Sequence, residues 1–326
     1  MKIPAKLLRG KITAPKAAAV LVIWLVWAVA TFLSDKIDFG SRPEVLPTFS
    51  EVERAGVDST KVRICSWNVH NYSVANRMVN GKWREHPKPE SEKAALRSVL
   101  RKINADVVLL EEMGDEVYLA ELRDALQKEG LAYPFCAITS YDAHTRVAIL
   151  SRIKPEKFFD CSDISFELRG AKVFSPRGTL GVKFTTAKKN WYAFALHLKS
   201  KTGARKADEQ FYPFRFAEVR AIDARIFSIA ADAPTIAAGD FNNEPSDALF
   251  RNFGKTKLAM LGGGDFASAK AYTYYWKKKD IAYIYDYFVV NSAMSAYAGA
   301  PAIINSDEVR ATSDHLPIVV DLDFGK

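Results

Sequence analysis

Ala238-Gly239-Asp240-Phe241-Asn242-Asn243-Glu244-Pro245 closes the apolar run Pro234-Thr235-Ile236-Ala237-Ala238. A short apolar run that stops at glycine predicts a buried strand. Asp240 and Asn242 are two residues apart. If strand alternation continues through Phe241, their polar groups share one face and the ring enters the core. A carboxylate that can take a proton and an amide that can hold it then stand at a strand's carboxyl end, where layered α/β folds place ligand sites. Asp, Asn, Gly and Pro are also ordinary turn residues. Taken alone, the stretch reads as a strand exit.

Other runs end the same way. Asn68 follows Val62-Arg63-Ile64-Cys65-Ser66-Trp67, Glu112 ends Val107-Val108-Leu109-Leu110-Glu111, and His197 ends Trp191-Tyr192-Ala193-Phe194-Ala195-Leu196. Asp286 lies inside Ile284-Tyr285-Asp286-Tyr287-Phe288-Val289-Val290, and Ser313-Asp314-His315 precedes the apolar Leu316 to Leu322. One such ending is punctuation, but a carboxylate, imidazole or amide at an end of every run predicts a shared site.

In this order, Trp67-Asn68-Val69, Leu110-Glu111-Glu112, His197-Leu198-Lys199-Ser200, Gly239-Asp240-Phe241-Asn242, Tyr285-Asp286-Tyr287 and Ser313-Asp314-His315 resemble the endonuclease/exonuclease/phosphatase superfamily. That group holds DNase I-like nucleases, apurinic endonucleases, inositol-polyphosphate 5-phosphatases and neutral sphingomyelinases. The resemblance runs from about Lys61 to the C-terminus. It implies an α/β fold, a four-layer αββα sandwich in which two mixed sheets pack face to face beneath outer helices. Strand–helix alternation by itself argues only for helices covering a sheet.

At 326 residues and 48% hydrophobic, the chain can bury one large domain and carry an appendage. Residues 1–16 hold Lys2, Lys6, Arg9, Lys11 and Lys16 and no acid, and residues 17–33 are apolar except for Thr31. A run of this length is at the short edge of what spans a bilayer. The basic flank would stay in the cytoplasm and export everything that follows. The expectation is an uncleaved membrane anchor. The rival is a signal peptide cleaved after Ala28-Val29-Ala30. Residues 34–60, with Pro43 and Pro47, read as a tether, leaving 61–326 as the catalytic domain. The net charge of +8 belongs mostly to the leader. Its five cations removed, 41 basic residues face 38 acidic ones, so basicity alone is no argument for nucleic acid. Local clusters remain at Lys199, Lys201, Arg205 and Lys206, and at Lys277-Lys278-Lys279 after the aromatic run Tyr272 to Trp276. Cys65, Cys136 and Cys161 show no ligand spacing and read as small buried hydrophobes, with a Cys136–Cys161 bridge as the alternative.

Periodicity predicts strands at Lys61–Trp67, Val107–Leu110, Val147–Leu150, Leu180–Phe184 and Trp191–Leu196. Helices are expected at Glu90–Asn104, Glu116–Glu129 and Asp247–Phe253. Another is expected over Ala207–Ala230, where Pro213 either kinks it or marks its start. Asn71–Pro89 reads as a polar loop over the site mouth.

Hydrolysis of a phosphate ester needs a deprotonated water, an in-line approach and neutralised phosphoryl oxygens. The resemblance implies Mg²⁺, with Mn²⁺ or Ca²⁺ as alternatives, on Glu112, Asn68 and Asp314. It makes Asp240 the base and has Asn242 orient the water or the phosphate. His197 and His315 become donors to the non-bridging oxygens, and Asp286 holds the His315 tautomer. Arg177 and Lys199 are candidate phosphate contacts. Many relatives have Gln where Glu111 stands, and relatives differ at the position of His70, whose role stays open. Adjacent Glu111 and Glu112 should face opposite ways on a strand, so only Glu112 is expected to look at the metal. His197 fits the DNase I-like and lipid-phosphatase branches better than the apurinic one, which tends to carry Tyr there. His197 does not separate nuclease from lipid enzyme; nucleic acid, DNA or RNA, is the expected substrate and the membrane the expected N-terminal partner. A lipid or inositol phosphatase, or a sphingomyelinase-like phosphodiesterase, is the alternative. A non-enzymatic binding module ranks last.

Overall fold

The computed structural model describes residues 60–326 apart from 141–143, 202–211, 247–248 and 250–252. The expected anchor, tether and most of the Asp247–Phe253 helix lie outside the described residues, as do Arg205 and Lys206. Among the described residues no helix is long and apolar enough to cross a membrane.

The chain begins with β1 (Lys61–Tyr72), the hairpin β2 (Val74–Val79) and β3 (Lys82–Pro87), α1 (Glu90–Ile103), β4 (Val107–Met113) and α2 (Glu116–Lys128). Then come β5 (Phe135–Ile138), β6 (Arg146–Ser151), β7 (Lys157–Asp160), β8 (Ser165–Leu168), β9 (Ala171–Phe174), β10 (Thr179–Thr186) and β11 (Lys189–His197). Helix α3 (Tyr212–Ala230) leads into β12 (Thr235–Asp240), β13 (Ala259–Met260), β14 (Tyr274–Trp276), β15 (Ile281–Tyr283) and β16 (Asp286–Val290). Last are β17 (Ala302–Ile303) and β18 (Ile318–Asp323).

Two six-stranded sheets result, ordered β17-β18-β1-β4-β6-β5 and β13-β16-β12-β11-β10-β7. Both are mixed: β1 runs parallel to β4 and β11 parallel to β12, and their other pairings are antiparallel. Alternation along single strands sorts the layers. Ile64, Val107 and Leu109 join Val182, Ala193, Ile236 and Phe288 in a core between the sheets. Their neighbours Cys65, Val108 and Leu110 instead pack under Leu96, Leu100, Leu119 and Leu122 of α1 and α2. Phe194, Ala237 and Val289 face Val219, Ile222 and Ile226 of α3 on the far side. Strands buried on both faces read as continuous apolar runs, and each fully buried aliphatic side chain contributes about 1.5–3 kcal/mol. The result is the α/β, four-layer αββα sandwich.

Local signals hold where they have a physical cause. Asn104 closes α1 in the left-handed conformation (φ 52°), and the Asp115 carboxylate caps α2 by accepting from Val117 and Tyr118 N–H. Pro213 sits in the first turn of α3, where its missing N–H costs nothing. The expected loop Asn71–Pro89 is instead the β2–β3 hairpin, turned at Asn80-Gly81 with φ 51° and 75°. β3 is polar and mostly exposed and β2 buries only Ala75, so no continuous apolar run marks them. The four-residue strands of the β8–β9 hairpin are likewise too short and mixed to form one. All three cysteines are free thiols, so the bridge does not form.

Candidate active site

The two sheets end together along one rim. Asn68, Glu111, His197 and Asp240 are placed at the carboxyl ends of the parallel pairs, on positions that continue the inter-sheet face. Asp286 opens the antiparallel β16 opposite Asp240. His315 precedes β18 and is held against β14 by a bridge to Tyr274 and by Tyr275 N–H donating to the Asp314 carbonyl at 3.1 Å. Gly239 makes the close approach that brings β12 to β11 here. Its φ is 149°, and an added Cβ would stand 1.8 Å from the Leu196 carbonyl oxygen.

Asp240 is the hub. Its Oδ1 accepts from Asn242 N–H at 2.7 Å, and its Oδ2 accepts from the amides of Asn242 (3.0 Å) and Asn68 (3.2 Å). His197 Nε2 and His315 Nε2 stand 3.5 and 3.8 Å from the same oxygen. Asn242 reaches Asp240 through a turn rather than a pleat: its φ is 51°, so strand alternation stops at the aspartate. Phe241 does enter the core, stacked on Tyr287 at 4.2 Å. Both Asp286 oxygens meet His315 Nδ1, at 2.8 and 3.1 Å. Thr273 Oγ accepts from the Asp286 and Tyr285 N–H groups and fixes the start of β16.

The electrostatics separate the two imidazoles. Burial, with Arg177, His315 and Lys199 nearby, holds His197 well below its ordinary pKa, so it is neutral. Burial also opposes the charge on His315, but the Asp286 and Asp240 carboxylates outweigh it and raise that group well above its ordinary value. Asp240 is pushed up to about 7, first by burial, against the pull of His315, with Asp286 and Glu112 adding to the rise. A proton acceptor poised near neutrality, a charged donor and a neutral imidazole therefore meet at one point.

Glu112 and Glu111 break the expected alternation. A register shift in the β1–β4 pair and a φ of 60° at Glu112 turn its carboxylate to Asn71 N–H (2.9 Å) at the cleft. Glu111 lies fully buried on the inter-sheet face, where Ser66 Oγ donates to it at 3.0 Å. Burial, with the Asp286 and Asp240 charges, raises it well above the carboxylate range, so it is a neutral acid beneath the site. Both glutamates thus serve the same rim.

The cleft has a volume of about 780 Å³, and Glu112, Asp240, Asp314, His315, His197 and Arg177 line it. Asn68 is fully buried behind Asp240, and its side-chain oxygen accepts from His70 N–H, so its amide braces the carboxylate. His70 Nδ1 stands 3.7 Å from the Asp314 carboxylate at the cleft's edge. Arg177 donates to the Leu198 carbonyl at 3.1 Å. The Lys199 ammonium donates to the Ser200 carbonyl, and it is Lys201 that reaches the cleft lining. Asp240, Asp286 and His315 offer ligand atoms within 4.8 Å of one another. Both Asp286 oxygens are already engaged by His315, so this trio is a relay in which Asp286 hydrogen-bonds Nδ1 of His315 and Nε2 faces Asp240 at 3.8 Å as an ion pair. Hard-cation donors facing the cleft are the carboxylates of Glu112 and Asp314. Glu112 adds to the rise of Asp240 and Asp314 to that of Asp286, so negative charge gathers at the cleft, and such a donor set fits a divalent cation.

Supporting residues carried no sequence signal. Arg215 of α3, fully buried, donates to the Phe241 and Asn242 carbonyls at 3.2 and 2.9 Å. Glu218, also on α3, accepts from Ser175 Oγ and Lys199 N–H. Buried Lys88 donates to the Thr312 and His70 carbonyls, tying the end of β1 to the Asp314–His315 segment.

The chain belongs to the Endonuclease/Exonuclease/phosphatase family, which it matches over residues 65–315. Its class is a hydrolase acting on phosphate esters, from a family of divalent-metal-dependent enzymes. No curated protein matches it. Among solved structures it is similar to D. rerio TDP2 complexed with single strand DNA product (22% identity, 81% of this chain and 99% of that chain, TM-score 0.55). It is also similar to the beta toxin of Staphylococcus aureus (16% identity, 79% and 99%, TM-score 0.59). A third is the human Nocturnin catalytic domain with bound sulfate anion (18% identity, 80% and 94%, TM-score 0.56). At these identities the likeness is one of fold.

Proposed function

We propose that this chain is a phosphodiesterase that hydrolyses nucleic acid in the cleft between Glu112 and His315. The observation that carries the reading is the relay Asp286–His315–Asp240 opening onto Glu112 and Asp314 in one cleft. Asp240, fixed by Asn68 and Asn242, accepts the proton of the attacking water. Charged His315 and neutral His197 donate to the phosphoryl oxygens, and the ester P–O bond breaks as the water oxygen bonds to phosphorus. Asp286 keeps Nδ1 of His315 protonated, so that Nε2 presents its N–H to the substrate. Glu112 and Asp314 would hold a hard cation, Mg²⁺ in our reading, whose chemistry is to neutralise phosphoryl charge. Arg177 adds a fixed positive charge at the cleft.

Nucleic acid is preferred over lipid on the basic lining, with Arg177, Lys201 and Lys279 all in the cleft. The test offers the full chain single-stranded and duplex oligonucleotides, sphingomyelin and phosphoinositides with Mg²⁺, then with EDTA. Cleavage of a lipid and of no oligonucleotide overturns the substrate assignment. We also propose, from the basic flank 1–16 and the apolar residues 17–33, that the enzyme works outside the cytoplasm, tethered to the membrane. A reporter fused after Lys326 that works only in the cytoplasm contradicts that placement.

A further inference from the structure

Beside its acids and imidazoles, the cleft is lined by Tyr274, Trp276, Tyr283 and Tyr285, carried on the β14–β15 hairpin and the link into β16. The tyrosines form a compact cluster of near-parallel rings. Tyr283 and Tyr285 stack at 4.8 Å and 15°, Tyr274 and Tyr285 at 5.4 Å and 12°, and Tyr274 and Tyr283 at 6.4 Å and 20°. Tyr274 in turn lies 4.6 Å from the His315 ring, so the cluster adjoins the catalytic imidazole. Two ammonium groups sit on this wall: Lys279 over Trp276 at 4.5 Å and Lys201 over Tyr285 at 5.7 Å.

Three ligand chemistries could use such a wall. A quaternary ammonium head group wants aromatic faces arranged as a box with no competing cation. Here the rings lie near-parallel rather than facing one another across a box, and two lysines already take the cation–π positions, which disfavours a choline. A duplex keeps its bases paired and stacked on one another, so it has no free base face to give. An unpaired base has one, and base–aromatic stacking beside basic side chains is how single strands are held. A second cavity of about 380 Å³ shares His70, Tyr274, Trp276 and Asp314 with the first and adds Arg77, Lys277 and Lys278. A strand leaving the cleft finds further cationic side chains there for its next phosphate.

We propose that the Tyr274–Tyr283–Tyr285 cluster is a stacking platform for an unpaired nucleobase next to the scissile phosphate, which makes single-stranded nucleic acid the substrate. This rests on the nucleic-acid reading above and narrows it. Tyr283 and Tyr285 are the residues to change, because Tyr274 packs on His315 and its loss would disturb the chemistry as well.

The experiment measures binding and turnover separately, on the full chain. Binding is read in EDTA by fluorescence anisotropy of a short labelled single-stranded oligonucleotide, of the same strand carrying one abasic position, and of the duplex. Turnover is read with Mg²⁺ on the same strands. Tyr283→Leu/Tyr285→Leu should weaken single-strand binding about 5- to 150-fold, the loss expected from one base's stacking. Phe174→Leu, at an exposed ring on β9, should change nothing. The abasic strand should bind wild type more weakly by a similar factor and cost the double variant nothing further. Equal binding by wild type and double variant, equal penalties for the abasic strand in both, or tighter binding of duplex than of single strand overturns the platform. Tyrosine-dependent binding without cleavage keeps the platform and removes the nuclease reading. Cleavage that ignores the tyrosines does the reverse. Neither binding nor cleavage removes both. Unchanged circular dichroism and melting temperature certify that the variants are folded.

Discussion

In an Asp240→Asn protein the side chain keeps its size but loses the ability to accept a proton and one acceptor oxygen. The wild-type carboxylate accepts from Asn242 N–H and from the amides of Asn242 and Asn68. An amide in its place leaves at least one of these donors unanswered, at about 1–3 kcal/mol. The lost charge works the other way. Burial raises Asp240 from 3.8 to about 7, so ionising it in the metal-free fold costs roughly 4 kcal/mol. The folded value lies above the unfolded one. The group's contribution to stability is therefore complete below the unfolded pKa and is lost as pH rises through about 7. Above neutrality the variant escapes that cost. Its metal-free melting temperature should match wild type to within a few degrees or exceed it, and across that window the variant's stability should fall less steeply than wild type's. Turnover should drop about 10²–10⁴-fold, the worth of a positioned general base, with KM nearly constant. Calorimetric melts at several pH values and steady-state kinetics on a single-stranded oligonucleotide give both numbers. Turnover within about threefold of wild type in the folded variant refutes Asp240 as the base and reduces its motif to a strand exit.

Three other substitutions separate roles that share the rim. Glu111→Gln should be nearly silent in rate and melting temperature, because burial already keeps this carboxyl neutral. A loss beyond about tenfold in kcat, above the few-fold cost of a minor rearrangement, means that its ionised form is used. Asp286→Asn should lower kcat at least about 10²-fold, because the support for the His315 tautomer is gone. It should also move the alkaline limb of the pH profile to lower pH, since Asp286 is the leading influence that raises His315. An unmoved limb contradicts the relay. Arg215→Met strips the donor from the Phe241 and Asn242 carbonyls. About 1–3 kcal/mol of stability should go for each carbonyl left unpaired, with kcat falling more than KM rises. Denaturation together with kinetics checks this, and a stability loss with kcat intact would make Arg215 purely structural.

What the sequence made legible follows from burial. Val107 to Leu110 and Thr235 to Ala238 are strands buried on both faces, so their apolar runs announce them. The polar residue that ends each run then marks the rim. The β2–β3 hairpin buries little beyond Ala75 and leaves Asn80-Gly81 as its clearest signal. The alternation rule failed at Asn242 and Glu112, each with positive φ, because chain geometry at a site is set by the site rather than by the pleat. Arg215, Glu218 and Lys88 were illegible for another reason. Each is a charged residue that pattern assigns to solvent, and only the tertiary fold shows which carbonyl or amide it answers.

Metal-dependent cleavage at this rim is the central claim, and one titration reaches it. Initial rates of single-stranded oligonucleotide hydrolysis are measured for wild type and Glu112→Gln across Mg²⁺ concentration, with EDTA as the zero point and calorimetry for Mg²⁺ binding. Wild type should be inactive in EDTA, recover fully on adding Mg²⁺, and bind the ion more tightly than the variant, whose rate should need more Mg²⁺ to rise. Hydrolysis that persists in EDTA, or equal Mg²⁺ binding and rates in the two proteins, contradicts the assignment of Glu112 and of the metal to this chemistry.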